Sequence, residues 1–348
     1  MAESKLSAGI IGYGGAFHMG KAHAESLKKA GIDTVAVCDL DPARLEAAER
    51  ELPGVRTYRD YRELLADPEV GLVINILPHN LHASVCVEAS KAGKHVVTEK
   101  PMCITVEEAD AMIGAARQAG KMLSVFHNRR WDDDYLTIRE TVASGLIGDV
   151  FHVECFIGGF HGPRGWWRDD KAVSGGALYD WGAHFLDWIL NLMPAPVANV
   201  TGFFHKRRWT EMTNEDQTQA ILRFEDGAMA DLQVSNLAAA GKPKWRILGT
   251  QGAIVVNWGQ PLDVTVEHKG HMARIQLPLK QGSWQAYYDN VADHLLRGGE
   301  LEVKPEQSRR TIAMIVAAEE SSQSGQAVVP TYRCSRVRRR SAGHTSEL

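Results

Sequence analysis

The sequence predicts an α/β N-terminal half built on a parallel, doubly wound sheet, followed by an α+β half with a large, mostly antiparallel open sheet. Three observations carry that expectation. Through residues 7–126, short continuous apolar runs alternate with amphipathic stretches, as they do when strands are buried on both faces by crossover helices. From about Val197 to Gln276, strand-like runs instead follow one another with only turn residues between them, the pattern of hairpins in series. The 348 residues are 44% hydrophobic, enough for two cores. The expected divisions are residues 1–126, 127–325 and a C-terminal segment, 326–348.

The first apolar run, Ala8-Gly9-Ile10-Ile11, feeds into Gly12-Tyr13-Gly14-Gly15, then Ala16-Phe17-His18-Met19-Gly20 and a helical stretch from Lys21 to Ala30. A strand, a glycine turn and a helix in that order let the backbone approach a pyrophosphate and aim helix N-terminal N–H groups at it. Gly12, Gly14, Gly15, Ala16 and Phe17 are therefore candidate phosphate contacts, in a turn longer than the usual G-x-G-x-x-G. The second strand, Val35-Ala36-Val37-Cys38-Asp39, ends in an acid about twenty-five residues beyond the glycines, where a dinucleotide fold holds its adenosine ribose. Asp39 there would accept hydrogen bonds from both ribose hydroxyls and repel a 2′-phosphate, so it argues for NAD over NADP. Asp41, beside Pro42, is the better N-cap for the helix that follows. A dinucleotide-binding Rossmann domain is the reading these two strands support.

The pattern repeats as a strand at Leu72–Ile76, a helix from about Leu81 to Ala92, a strand at His95–Thr98, a helix from about Val106 to Ala119 and a last strand at Met122–Phe126. Thr105 and Glu108 form a capping box before the second of those helices. Ligands of such a sheet lie beyond the carboxyl ends of its strands. Asn75, Pro78, His79, His82, Glu99 and Lys100 are thus candidates for the cofactor site, with Glu99-Lys100-Pro101 at its nicotinamide end.

After residue 126 come Asn128-Arg129-Arg130-Trp131, a helix near Asp133 to Ser144, a strand from about Asp149 to Ile157, and a glycine- and tryptophan-rich loop, Gly158 to Gly176. That loop holds His161, Arg164, Trp166, Trp167 and Arg168, side chains suited to stacking on pyranose faces and bonding hydroxyls. Asn128, Arg129, His161, Trp167 and Arg168 are candidate substrate contacts, and Arg168 also suits a carboxylate or sulfonate. Ser174 to Asp187 then reads S-G-G-A-L-Y-D-W-G-A-H-F-L-D, placing Asp180 and His184 one turn apart on one helix face. The polar stripe continues through Asp187 and Asn191 and is expected to face away from the core. Trp181, Phe185, Trp188 and Leu192 make the complementary apolar stripe. A carboxylate that orients an imidazole is an acid/base unit. Hairpin strands follow, with a strong turn at Glu225-Asp226-Gly227, and two helices near Trp284–Leu296 and Pro305–Ser321 either close the second domain or pack back on the first.

In order and spacing, the glycine turn, Glu99-Lys100-Pro101 and G-G-A-L-x-D-x-G-x-H resemble the Gfo/Idh/MocA oxidoreductases, the group containing glucose-fructose oxidoreductase and inositol dehydrogenase. The likeness runs over roughly residues 7–325, departing in the lengthened glycine turn and in Ser174. The resemblance implies that Lys100, Asp180 and His184 line the substrate site. Removing a hydroxyl proton while hydride leaves carbon for NAD calls for a base and for stabilisation of charge on oxygen. His184 as base, Asp180 orienting it and Lys100 donating to the substrate oxygen is one assignment; Lys100 as base is the other.

The expected reaction is oxidation of a secondary ring hydroxyl of a sugar, glycoside or cyclic polyol. Two alternatives use the same residues or the same fold: glycoside cleavage with retained NAD and transient sugar oxidation, and a non-catalytic NAD- or sugar-sensing regulator. No set at zinc-type spacing supports a metal site. The five cysteines, Cys38, Cys86, Cys103, Cys155 and Cys334, show no C-x-x-C pair, as expected of reduced thiols. With no apolar leader or membrane-length run, a cytoplasmic protein without membrane or nucleic-acid partners is expected. The arginine-rich end beyond Thr331 reads as a solvated tail. A homodimer or homotetramer through the second sheet completes the expectations.

Overall fold

Each apolar run of the first 126 residues forms a strand of one parallel sheet. The computed structural model describes residues 6–14 and 18–332. Within it β1 (Ser7–Ile11), β2 (Asp33–Cys38), β3 (Arg56–Tyr58), β4 (Leu72–Asn75), β5 (His95–Thr98) and β6 (Leu123–Val125) lie in the order β3-β2-β1-β4-β5-β6. All five pairings are parallel. Helices α1 (Met19–Lys29), α2 (Pro42–Glu51), α3 (Tyr61–Ala66), α4 (His79–Lys91) and α5 (Val106–Ala119) supply the crossovers. Chain order reverses between β1 and β4, which opens a crevice at their carboxyl ends.

The local signals act as the sequence predicts. Asp41 caps α2 by accepting from the Ala43 amide at 2.9 Å, with Pro42 at the first helical position. Thr105 and Glu108 close their capping box on α5. The short β3 and α3 were not expected; α3 is nucleated by Asp60, which accepts from the Arg62 amide at 2.9 Å.

The second sheet has eight strands: β7 (Val150–Gly158), β8 (Val197–His205), β9 (Gln217–Phe224), β10 (Met229–Ser235), β11 (Trp245–Gly249), β12 (Gly252–Val256), β13 (Leu262–His268) and β14 (His271–Leu277). Their order is β14-β13-β12-β11-β7-β10-β9-β8, with β7 and β10 the one parallel pair. The hairpin at Glu225-Asp226-Gly227 joins β9 to β10, with Gly227 at φ +90°. One face is covered by α6 (Asp133–Ala143), α8 (Ala177–Leu192) and α10 (Pro305–Ser324), with the four-residue α7 (Lys171–Ser174) leading into α8. Phe185, Trp188 and Trp245 fill that layer.

The two halves are not independent packing units. Helix α9 (Gln285–Arg297) returns to the first domain, where Tyr287, Tyr288 and Val291 share a core cluster with Ile10, Tyr13 and Phe126. Helix α10 touches β8 and α8 on one side and α5 and β6 on the other. The expected second segment, 127–325, therefore gives its penultimate helix to the nucleotide fold. Buried aromatic area decides this, since Tyr287 and Tyr288 lose essentially all solvent contact there.

Candidate functional site

A cavity of about 790 Å³ runs from the glycine turn after β1 to the first turns of α8. Gly14 and Met19 line one end, Glu99 and Lys100 the floor, and Asp180 and His184 the far wall. Its position at the β1/β4 switch point follows from strand order.

At the glycine end, Gly12 adopts φ +91° and donates its amide to the Cys38 carbonyl at 2.8 Å. A Cβ on Gly14 would collide with the Arg44 side chain, which lies across the turn. Gly15, Ala16 and Phe17 fall outside the described residues. Asp39 stands at the end of β2, its oxygens accepting from the Tyr13 amide at 2.7 Å and the Asp41 amide at 3.0 Å. Those bonds fix the carboxylate at the carboxyl end of β2. A glycine cradle, a fixed carboxylate and one continuous cavity fit a dinucleotide.

The polar groups at the β4 and β5 ends are buried or half-buried. Asn75 is fully buried and donates to the His82 carbonyl and Thr98 hydroxyl, both at 3.3 Å. The His82 nitrogens face the Pro101 and Leu77 carbonyls at 2.8 and 2.7 Å. Pro78 occupies the N-cap position of α4. Asn75 and His82, expected as cofactor contacts, thus spend these polar atoms within the loop framework. His79 differs: Nδ1 meets the Ser174 carbonyl at 2.7 Å, whereas Nε2 is buried without a hydrogen-bond partner beside the cavity. Burial first, and then neighbouring His82, push its pKa well below the ordinary value, so it is neutral.

Helix α8 is launched by Gly175 and Gly176 at φ +86° and +131°, conformations open to glycine. The Glu215 carboxylate then accepts from the Ala177 amide at 3.0 Å and sits at the positive end of the helix. This presents Asp180 to Lys100, whose Nζ donates to Oδ1 at 2.6 Å and to the Asp180 carbonyl at 3.3 Å. Burial opposes ionisation of Asp180, but Lys100 and then Arg168, with Nε at 3.9 Å, outweigh it and hold the carboxyl far below the usual range.

His184 lies beside this ion pair and is 4% exposed. Its Nδ1 is buried without a hydrogen-bond partner. Burial first, then the charges of Lys100 and Arg129, drive its pKa well below the imidazole value and leave a neutral ring. The expected orientation of His184 by Asp180 is not the arrangement present. The nearby ammonium takes the carboxylate, and Trp181 and Trp188 hold the imidazole by ring contacts at 5.7 and 6.2 Å.

The polar stripe turns inward sooner than expected. Asp187 is 2% exposed and forms a two-bond pair with buried Arg130, at 2.8 and 2.6 Å. Asn191 donates to the Asp187 carbonyl at 2.6 Å. Both serve the framework. His127, absent from the expected site, is buried 3.9 Å from Asp187, and burial lowers its pKa to about 4 despite that neighbour.

Two arginines stack on indoles at opposite walls. Arg129 lies 4.5 Å from the Trp181 ring and 5.1 Å from the Trp284 ring, bonded to Asp132 at 2.9 Å. Arg168 lies 4.6 Å from Trp166 and 4.4 Å from Trp167. Asp169 shapes that loop by accepting from the Arg164, Gly165 and Trp166 amides at 2.7 to 3.2 Å. Asn128, His161 and Trp167 also line the cavity, so every expected substrate contact reaches it. Trp284, read from sequence only as a helix start, closes on Asp132 through Nε1 at 2.7 Å. Among the described residues no group of three or more His, Cys, Asp or Glu is placed to hold a metal ion.

Comparison with known proteins agrees with this geometry. Residues 6–127 match the family described as an oxidoreductase family with an NAD-binding Rossmann fold. Residues 135–255 match the GFO/IDH/MocA C-terminal domain. The chain is similar to a scyllo-inositol 2-dehydrogenase (NADP(+)) of Bacillus subtilis, at 28% identity over 93% of this chain and 96% of the relative. It is also similar to a scyllo-inositol 2-dehydrogenase (NAD(+)) of the same organism, at 26% identity over 76% of this chain and 77% of the relative. Among solved structures, an NAD-binding protein from Listeria innocua is 30% identical with a TM-score of 0.85, covering 94% of this chain and 97% of that one.

Proposed function

Because the chain belongs to the Gfo/Idh/MocA oxidoreductases, a family whose first domain binds NAD(P), we propose that it oxidises a secondary ring hydroxyl of a sugar, glycoside or cyclic polyol, with NAD as acceptor. The observation that carries the reading is the contact of Lys100 Nζ with Asp180 Oδ1 at 2.6 Å beside a neutral His184, whose Nδ1 has no hydrogen-bond partner, in the cavity that starts at the glycine turn. The bound nicotinamide would supply the hydride acceptor.

The chain's own residues supply the rest. Lys100, fixed by Asp180, donates a hydrogen bond to the reacting oxygen and stabilises the negative charge that grows there. His184, neutral through burial and its cationic neighbours, accepts the hydroxyl proton. Trp167, stacked under Arg168, offers a flat apolar surface to one ring face, and Asn128 and His161 offer polar atoms to hydroxyls. Asp39 favours NAD by accepting from the ribose hydroxyls. The three-part division at residues 126 and 325 stays part of this reading, amended by the place of α9.

The test is formation of reduced nicotinamide with a panel of inositols, sugars, sugar acids and glycosides, with products analysed in parallel. Wild-type turnover, lost about 10²- to 10⁴-fold in His184→Ala, is the expected result. Cleaved glycoside without net reduced cofactor would replace it by transient oxidation, and tight cofactor binding with no product would point to a sensing role.

The uncovered face of the second sheet is proposed to join two copies. A ladder of Val255, Arg246, Glu154, Asp231, Ile221 and Thr201 runs across it, a mixed surface that a like face can complement about a two-fold axis. Light scattering of Ile221→Glu is expected to show a smaller particle than wild type; an unchanged mass would place the contact elsewhere.

A further inference from the structure

Beneath the Lys100 turn lies a buried chain of polar groups that the proposed reaction does not use. His23, on α1, is 1% exposed, and Tyr288, on α9, is fully buried. His23 Nδ1 stands 2.5 Å from the Tyr288 hydroxyl, and His23 Nε2 stands 3.1 Å from Glu99 Oε1. The other Glu99 oxygen accepts from the Lys100 amide at 3.1 Å. Three elements distant in sequence thus converge on the residue before Lys100.

Burial opposes ionisation of Glu99, but its hydrogen bond with His23 and the nearby charges prevail, so the carboxylate is ionised and only accepts. His23 Nε2 must then be the N–H that donates to it. Nδ1, on the opposite edge of the ring, shares a hydrogen bond with the Tyr288 hydroxyl. That hydroxyl keeps its proton because burial raises its pKa well above the phenol value. Phe126 packs on both rings, at 4.5 Å from His23 and 5.6 Å from Tyr288, where both are shielded from solvent.

We propose that Tyr288 and His23 are positioning residues that hold the Glu99 carboxylate, and through it the Lys100 backbone, so that the Lys100 ammonium is presented to substrate against Asp180. The inference deepens the proposed function, resting on Lys100 as the group that meets the reacting oxygen. It adds that this lysine is set from outside the cavity, by the helix that follows the glycine turn and by a helix contributed from the far end of the chain. A shift of about 1 Å in such a group costs on the order of 10²-fold in rate.

The test reads Lys100 directly. Full-length wild type, Tyr288→Phe, His23→Leu and His23→Gln are labelled with acetic anhydride, and acetylation of Lys100 is followed by peptide mass spectrometry; Lys244, buried and paired with Asp134 at 2.5 Å, is the reference for general loosening. Released from its fixed contact with Asp180, Lys100 is expected to label several-fold faster in Tyr288→Phe and faster still in His23→Leu, with Lys244 unchanged. His23→Gln keeps a donor to Glu99 and is expected to return part of the difference. Unchanged Lys100 labelling in both Tyr288→Phe and His23→Leu would overturn the relay. So would equal acceleration at Lys100 and Lys244, which reports general loosening. Turnover forms the second arm: kcat falls about tenfold or more in the same order, with substrate KM within about twofold. If wild type reduces no NAD with any polyol, the substrate reading fails while labelling still decides the relay.

Discussion

Asp180 stands one helical turn before His184, yet its carboxylate belongs to Lys100. The ammonium outbids the imidazole because a charged donor at 2.6 Å makes a stronger bond than a neutral ring could. Asp180→Asn is therefore expected to act on Lys100: kcat falls about 10²-fold, and steady-state rates show the same pH dependence in the limb that reports His184. A displaced His184 limb would restore the carboxylate–imidazole pairing. Asp187, on the same stripe, is framework. Asp187→Asn leaves the Arg130 charge buried without its counter-ion and is expected to cost about 3–5 kcal/mol, read as a lower urea midpoint at unchanged slope.

At the scale of elements, α8 is the part that turns sequence into a site. Its start is set by two glycines in conformations that other residues resist and by Glu215, delivered from the segment before β9. Lys171 Nζ bridges Glu215 and Glu319, each at 2.5 Å, tying the same cap to α10. Glu215→Ala is expected to lower stability by about 1–2 kcal/mol through loss of a charged N-terminal acceptor. Because α8 carries Asp180, the variant is also expected to lose activity per folded molecule; thermal melts and kinetics on one preparation separate the two effects. The strand–turn–helix periods, the capping box and the hairpin were legible because each is decided by a few neighbouring residues. The β3–α3 pair was not, since runs of three and six residues fall below what periodicity can mark.

Across the whole molecule, buried histidines set the response to acid. His127 has its pKa lowered to about 4 from 6.5, by burial against the partial compensation of Asp187. Between those values the unfolded chain binds a proton that the folded chain refuses, so the stability contribution is complete above about pH 6.5 and is lost as pH falls toward 4, at about 1.4 kcal/mol per pH unit for this residue. His79 and His184 are shifted in the same direction. Urea midpoints are expected to fall steadily from pH 7 to pH 5, and a midpoint flat over that range would mean that these rings are protonated in the folded protein. No helix among the described residues is long and apolar enough to cross a membrane.

What the sequence determined by itself was local in cause: a parallel sheet from buried runs, a glycine turn after the first strand, an acid at the end of the second in Asp39, and the identities of Lys100, Asp180 and His184 as residues that share one cavity. Tertiary structure decided how those residues pair. The chain that links Tyr288 to His23 spans 265 positions, and that between Lys100 and Asp180 spans 80; no periodicity reports either. It also gave Asn75, His82 and Asp187 partners within the framework, because whether a polar atom is free for a ligand depends on which carbonyls and charges the fold brings against it. Desolvation then makes those pairings compulsory, since a buried polar group without a partner costs more than the bond it forgoes.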